Sequence, residues 1–407
     1  MKAFVLAAGK GTRMRPLTVN TPKPLLPVAG KPILQHNIDN LKDIIDEVII
    51  LTGWNAKRIK EKIKADGIEV TYAKQEQLLG TADAVSIAED FIDDDFICLN
   101  GDVIVFKHVL EEFVDYFKSV DCSVLGMVEV DDPQSYGVIK RDGEHIIDII
   151  EKPERPPSQL INAGVYGFKP EIFKAIKNTK KSPRGEFEIT DSLKILMEQD
   201  ELKGFELEKN SWNELSRPWE LLSVNKNILK NVNIKEKREG KIEDGVHLEG
   251  WVSVEEGAVI KRGSYIQGPV HIGKNSDIGP NCLIRPCTHI GDDCKVGSAV
   301  EVKNTIIMDG SKIPHHSYVG DSVIGMNCNF GSGTKVANLR LDDKNIIVTH
   351  RGERIDTGRR KLGVIMGDEV KTGINSMIDT GTIIGNKALI GPGAMADGEI
   401  GEGSRIK

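Results

Sequence analysis

The chain has 407 residues, of which 39% are hydrophobic and 28% charged, with a formal net charge of -7 at pH 7. That length is more than one hydrophobic core normally serves and predicts two domains. The acidic balance excludes a protein that holds nucleic acid by overall basic charge, so any anionic ligand must be gripped locally. The sequence shows no 18-residue apolar run and no apolar leader core after Met1 and Lys2, which predicts a cytoplasmic protein with no membrane partner. Cys98, Cys122, Cys282, Cys287, Cys294 and Cys328 lie in hydrophobic runs without a C-x-x-C pair. They read as buried, reduced thiols rather than a zinc or redox centre.

Up to about residue 230, short β-branched runs alternate with helical spacing. "AFVLAA", "EVIILTG", "FICLNGD" and "CSVLGMVEV" predict buried strands, and "PILQHNIDNLKD" and "ADAVSIAEDF" predict amphipathic helices. Such alternation predicts an α/β, Rossmann-like domain over 1–230 with a mostly parallel sheet and a ligand site at the loops after the strands. The first of those loops is "LAAGKGTRMRPLTVNTPKPLLPVAGKP", from Leu6 to Pro32. Gly9 and Gly11 leave backbone amides open to a phosphate. Lys10 precedes the second glycine, so the loop is not a Walker A motif, and Met14 stands where a dinucleotide fingerprint needs its third glycine. Arg13, Arg15 and Lys23 add cationic charge suited to a triphosphate and its departing pyrophosphate, against the plainer reading of a solvated basic loop.

After a charged stretch read as a linker over 231–245, one apolar position recurs every six residues: Leu248, Val254, Ile260, Ile266, Ile272, Ile278, Ile284, Ile290, Val296, Val302 and Met308. That period belongs to neither a helix nor a simple strand and predicts a parallel β-helix of hexapeptide repeats over 246–407. The phase is lost near Pro314, resumes at Val319, and returns at Ile378. The polar segment at 339–360 predicts a protruding inserted loop. His315, beside the phase break, is a candidate exposed base or simply a polar loop residue.

The opening loop resembles the signature of sugar-1-phosphate nucleotidylyltransferases along its whole length, and "QEQLLGTADAV", "LNGDV", "SYGVIK", "IIEKP", "INAGVYGF" and "WNELSRPWELLSVN" continue the resemblance in order. The resemblance implies that Leu6, Ala8, Gly9, Gly11, Thr12, Gln75, Gly80 and Thr81 bind the nucleotide, UTP or dTTP. It implies that Arg13 and Lys23 stabilise developing charge, and that Gly137, Glu151, Lys152, Asn162 and Gly164 hold a sugar phosphate. Asp102 and Glu214 would ligate Mg2+, although relatives carry aspartate or asparagine at the second position. The implied reaction is in-line attack of a sugar-1-phosphate oxygen on the α-phosphorus.

The run "HHSYVGD" is similar to the H-x-[ST]-Y-x-G-D motif of the acetyltransferase half of the bifunctional N-acetylglucosamine-1-phosphate uridylyltransferases. That resemblance implies a left-handed β-helix, a homotrimer with sites between neighbouring prisms, and acetyl-CoA as co-substrate. His315 would be the base, and Arg285, Glu301, Lys303, Tyr318, Asn329, Asn338 and Lys361 would surround the amino-sugar phosphate. The backbone amide of Ser332 would face the oxyanion. The alternative is a nucleotidylyltransferase alone, of the thymidylyl-, uridylyl- or guanylyltransferase type, whose β-helix is structural or regulatory. Arg285, Lys303 and His315 separate the two readings.

Overall fold

The computed structural model describes residues 1–199, 201–231 and 236–407. The chain forms two compact units. One comprises Met1–Lys10, Pro22–Leu25 and Pro32–Glu214, and the other Gly11–Thr21, Leu26–Lys31 and Leu215–Lys407. The helix Glu220–Asn231, which the sequence reading counts with the first domain, packs with the second unit. The cause is a buried side chain: Asn225 accepts from the Ala29 amide at 2.8 Å and donates to the Cys287 carbonyl at 2.9 Å. Of the expected linker, 232–235 lie outside the described residues, and Lys241–Ile242 already pairs with Val259–Ile260 as a rung of the β-helix.

In the first unit a nine-stranded sheet begins with Glu69–Lys74, Glu47–Thr52, Lys2–Leu6 and Phe96–Asn100, which are mutually parallel. Alternation along these strands fills two cores. Ala3, Val5, Ile50 and Leu99 face the side covered by the helices Ile33–Leu41 and Lys107–Ser119, while Phe4, Ile49, Phe96 and Cys98 pack with residues of Thr81–Ser86 and Glu171–Asn178. Beyond Phe96–Asn100 the sheet is mixed, not mostly parallel, and Leu202–Glu206 beside Ser123–Glu129 is its one further parallel pair among the described residues. Leu160–Phe168 runs antiparallel to both Phe96–Asn100 and Ser123–Glu129, and Gly137–Asp142 turns directly into His145–Glu151. A connection as short as Gly143–Glu144 permits only an antiparallel pair.

The second unit is a parallel β-helix whose strands lie on three faces. Its early coils take eighteen residues, as in the pairs Ile260 with Ile278 and Ile278 with Val296. The inward residues Val254, Ile260, Ile266, Ile272, Ile278 and Ile284 are fully buried. The phase slips earlier than expected and for a different reason. The inward residue after Val302 is Ile307 rather than Met308, and the one after Val319 is Ile324, so Val302 pairs with Val319 and Ile307 with Ile324. Pro314 does not break the pattern, because it lies inside the strand Lys312–His315 beside the buried Ile313. Each slip removes one residue from a corner whose turning residue is left-handed, Asn304 in one coil and Asp321 in the next. Asn and Asp tolerate that conformation better than other side chains with a β-carbon.

The inserted segment leaves from the same corner one coil later, since Val336 pairs forward with Ile378. It does not protrude as a loop. Ile347–His350 and Glu353–Asp356 form an antiparallel hairpin, Ile346, Val348 and His350 are each 1% exposed, and the amides of Arg351 and Gly352 donate to Glu399. Its apolar residues are dispersed among charges, so the segment reads as polar while still supplying an inward face. All six cysteines are free and buried. Among the described residues no helix is long and apolar enough to cross a membrane.

Candidate active sites

The parallel strands of the first unit end at a switch point, because Lys2–Leu6 is flanked on one side by Glu47–Thr52 and on the other by Phe96–Asn100. Leu6 and Ala8 lie there, at the end of the first strand. The two strand ends are drawn together by backbone: the Gly101 amide donates to the Leu6 carbonyl at 2.9 Å, and the Ala7 amide to Leu51 at 2.9 Å. A β-carbon at Gly101 would sit 2.5 Å from the Leu6 oxygen, so only glycine permits this approach. Asp102 follows at once, and Lys23 meets it with Nζ 2.5 Å from Oδ2. Lys23 is 8% exposed; an ammonium so buried requires an anionic partner, which Asp102 supplies. Trp212–Glu214 pairs antiparallel with Val103–Val105, setting Glu214 opposite Val103, the neighbour of Asp102.

Along the opening loop Gly9, Lys10, Arg13 and Arg15 are exposed. Gly11 is left-handed and starts a 3-10 turn over Thr12–Met14, fixed by the Thr18 hydroxyl donating to the Gly11 carbonyl at 2.7 Å. Met14 is fully buried. The residue that broke the dinucleotide fingerprint is thus the loop's anchor, and it leaves Arg13 facing solvent.

Gln75 is buried and donates to Asp83 Oδ2 at 2.7 Å. Gly80 opens the helix Thr81–Ser86 at φ 129°, where a β-carbon would overlap the Phe187 carbonyl. Thr81 accepts from the Ile189 amide at 2.9 Å. Register sets Glu151 opposite Gly137, and the Glu151 carboxylate accepts from Arg184 at 3.1 Å with Lys152 Nζ at 3.4 Å. Asn162 donates to the Tyr166 hydroxyl at 3.0 Å and accepts from the Gly164 amide at 2.9 Å. Burial pushes the Tyr166 phenol up, so it stays a neutral hydroxyl. Asp83 and Arg184 carry no signal in the sequence, since one sits inside a helix pattern and the other in a lysine-rich connection.

In the second unit, Arg285 follows Ile284, which pairs with Val302, so Arg285 and Lys303 occupy successive rungs. Glu301 pairs with Tyr318. Arg285 donates to Glu301 at 2.9 Å; Lys303 Nζ lies 3.2 Å from Asp321; Asn338 donates to the Tyr318 hydroxyl at 3.2 Å and to Asp321 at 2.6 Å. Asp321 also accepts from Asn304 at 2.7 Å and is 4% exposed. It organises the cluster, although only its place as the last letter of "HHSYVGD" marks it in the sequence. His315 stands apart on the neighbouring face, paired with Ser298, exposed, with no side-chain hydrogen bond among the described residues. His316 takes the left-handed corner and its carbonyl accepts from Lys335. Asn329 is exposed, the Ser332 carbonyl accepts from Asn375, and Lys361 pairs with Leu339 at the root of the insertion. Neither His315, Asn329 nor Ser332 shares a hydrogen bond with the Asp321 cluster.

A buried Lys23–Asp102 pair at the switch point of the parallel strands, in one chain with a β-helix whose rungs stack arginine and lysine, defines a nucleotidyltransferase joined to a hexapeptide-repeat unit. Residues 2–231 match the nucleotidyl transferase family, and 266–392 match the GMPPB C-terminal domain. The bifunctional protein GlmU of Methanocaldococcus jannaschii is 45% identical over 98% of this chain and 96% of its own. A bifunctional sugar-1-phosphate nucleotidylyltransferase/acetyltransferase of Sulfurisphaera tokodaii is 40% identical over 100% of both. Among solved structures, a UDP-glucose pyrophosphorylase complexed with UDP-glucose shares the first unit's fold, with a TM-score of 0.53 and 24% identity over 57% of this chain and 99% of its own. The chain belongs to the family of bifunctional sugar-1-phosphate nucleotidylyltransferase/acetyltransferases. It is an enzyme with two transferase activities.

Proposed function

We propose that the chain transfers acetyl from acetyl-CoA to the amine of glucosamine-1-phosphate or another hexosamine-1-phosphate, and then joins the product to the uridylyl group of UTP, with dTTP as the competing nucleotide, releasing pyrophosphate. The observation that carries this reading is that one chain holds both the Lys23–Asp102 pair at the sheet's switch point and the Arg285–Glu301, Lys303–Asp321–Asn338 cluster on the β-helix.

In the first reaction the amine must lose a proton as it attacks the thioester carbonyl, and His315 takes it. Arg285, Lys303 and Lys361 hold the phosphate, Tyr318, Asn329 and Asn338 the sugar, and the Ser332 amide faces the tetrahedral oxyanion. In the second, the attacking phosphate is already anionic and needs no base. Gly9, Gly11 and Thr12 offer backbone to the triphosphate, Arg13 and Lys23 neutralise charge on the leaving pyrophosphate, and Gln75, oriented by Asp83, meets the nucleobase. Gly137, Glu151, Lys152, Asn162 and Gly164 hold the sugar phosphate. Asp102 and Glu214 would hold Mg2+, which binds through one or two carboxylates plus substrate phosphates and would supply charge neutralisation there. We read the molecule as a cytoplasmic homotrimer in which a neighbouring prism completes each acetyl-transfer site.

A coupled assay tests the proposal. Coenzyme A release from acetyl-CoA and glucosamine- or galactosamine-1-phosphate is expected, as is pyrophosphate release from UTP and N-acetylglucosamine-1-phosphate. No coenzyme A release with either sugar would leave a nucleotidylyltransferase with a structural β-helix.

A further inference from the structure

The nucleotide loop divides between the two units, and Gly11–Thr21, which carries Thr12, Arg13 and Arg15, belongs with the β-helix. Three contacts within that unit fix the segment. His350 Nε2 lies 2.8 Å from the Arg15 carbonyl oxygen. Pro16 packs so close to the coil that a β-carbon on Gly367 would come within 3.1 Å of it. Asn20 donates to Asp368 at 3.2 Å.

The first of these contacts comes from the inserted hairpin. His350 ends the strand Ile347–His350, and the left-handed Arg351 and Gly352 that follow are tied by their amides to Glu399. Its ring is buried and meets Trp219 edge to face, with centroids 5.9 Å apart. A carbonyl can only accept, so Nε2 carries the proton and donates. Burial pushes the imidazole below its usual range and keeps it neutral. Nδ1 is buried without a partner among the described residues, a cost that packing alone does not require. A side chain needed only to fill this face would be apolar, as Ile346 and Val348 are. What the imidazole adds is its one donor, aimed at Arg15. That residue immediately follows the turn Thr12–Met14, and its amide donates back to the Thr12 carbonyl at 3.4 Å.

We propose that His350 is a positioning residue for nucleotidyl transfer: by donating to the Arg15 carbonyl, the β-helix insertion fixes the turn that presents Arg13 to the triphosphate. The proposal rests on the role given to Arg13 in the nucleotidyl-transfer reading and extends it to a residue some 335 positions away.

Kinetics of pyrophosphate release from UTP and N-acetylglucosamine-1-phosphate in the full-length wild type, His350→Gln and His350→Leu test it. Glutamine keeps a donor for the Arg15 carbonyl, whereas leucine fills the space without one. His350→Leu is expected to lower kcat at least about tenfold with KM for UTP changed less than about twofold, and His350→Gln to keep at least about half of the wild-type kcat. Coenzyme A release, which is read on the same β-helix, is expected to be unchanged in both. In an Arg13→Ala background His350→Leu is expected to add no further loss, because a residue that acts through Arg13 then has nothing to position. Equal kcat in the glutamine and leucine variants would overturn the proposal, whether both match the wild type or both fall. So would an undiminished effect of His350→Leu in the Arg13→Ala background, or an equal fall of both activities in His350→Leu. Unchanged kcat in Arg13→Ala alone would overturn the reading of Arg13 and the proposal with it, whereas an impaired Arg13→Ala beside equal glutamine and leucine variants overturns the proposal alone.

Discussion

The two candidate sites are built by opposite means. In the first unit Asp102 and Glu214 come from strand ends and Lys23 from the 3-10 turn Lys23–Leu25, at no regular spacing, and the site is assembled by tertiary packing through close backbone approaches such as Gly101 on Leu6. In the second unit the residues stack by register, and their spacing is that of the coil. A coil that repeats without change would present the same environment on every rung. What differentiates the rungs is subtraction: one residue removed at the Asn304 corner and again at the Asp321 corner brings Asp321 to Lys303, Asn304 and Asn338. Where the first site depends on long-range packing, the second depends on a local count.

The sharpest way to break that comparison is to show that the sites are not separable. Asp102→Asn keeps the side chain's shape while removing the charge that faces Lys23. Pyrophosphate release is expected to fall at least about 10³-fold, with coenzyme A release unchanged. A variant retaining a tenth of wild-type pyrophosphate release would remove Asp102 from its role. In the opposite direction, His315→Ala is expected to lower coenzyme A release by about 10²- to 10³-fold while pyrophosphate release from UTP and N-acetylglucosamine-1-phosphate persists. Loss of both activities in either variant would mean that the two sites act as one.

The β-helix also carries a stability term that the strand-end site lacks. His271 and His289 stack on successive rungs with centroids 5.2 Å apart, and burial pushes the His271 imidazole down to about 4. Glu255 and Asp292 oppose that shift and Lys237 adds to it. Because the folded value lies below the unfolded one, the unfolded chain binds more protons between about pH 6.5 and pH 4, so stability is lost as pH falls through that window. From pH 7 to pH 5 the loss is about 2 kcal/mol. Asp292, whose carboxyl is raised by burial, acts with the opposite sign at lower pH. Urea midpoints measured across this range should fall in the wild type and flatten in His271→Gln. Parallel curves would show that His271 does not set the slope.

Much of this was legible in the chain. The six-residue period announces the β-helix because a coil repeats its inward residues at fixed separation, and Val254 to Val302 obey it without exception. The strands of the first unit are readable for the same reason, since Ala3 to Val5 and Val48 to Leu51 must fill both faces of a sheet. The slip at Val302–Ile307 was hidden because Ile306, Ile307 and Met308 are all apolar, and a one-residue deletion among them leaves no mark on composition. The antiparallel half of the sheet was obscured because strand direction is set by connections and not by hydrophobic pattern. Partners such as Arg184 on Glu151 and Asp83 on Gln75 arise from tertiary contact and leave no periodic trace.

Asp321→Asn is the finest test of whether the local count makes the second site. Asparagine tolerates the left-handed corner, so the backbone is retained, as the same turn at Asn304 and Asn327 shows. The change removes the charge facing Lys303 and turns one acceptor into a donor aimed at Asn304 or Asn338, both of which now donate. Lys303 and Asn338 lose their common anchor while His315, on the neighbouring face, is untouched. The expected result is a KM for glucosamine-1-phosphate raised about tenfold, the scale of one charge-assisted hydrogen bond, with a smaller change in kcat and none in pyrophosphate release. A fall in kcat at unchanged KM would place Asp321 in the chemistry instead of in the positioning of the acceptor.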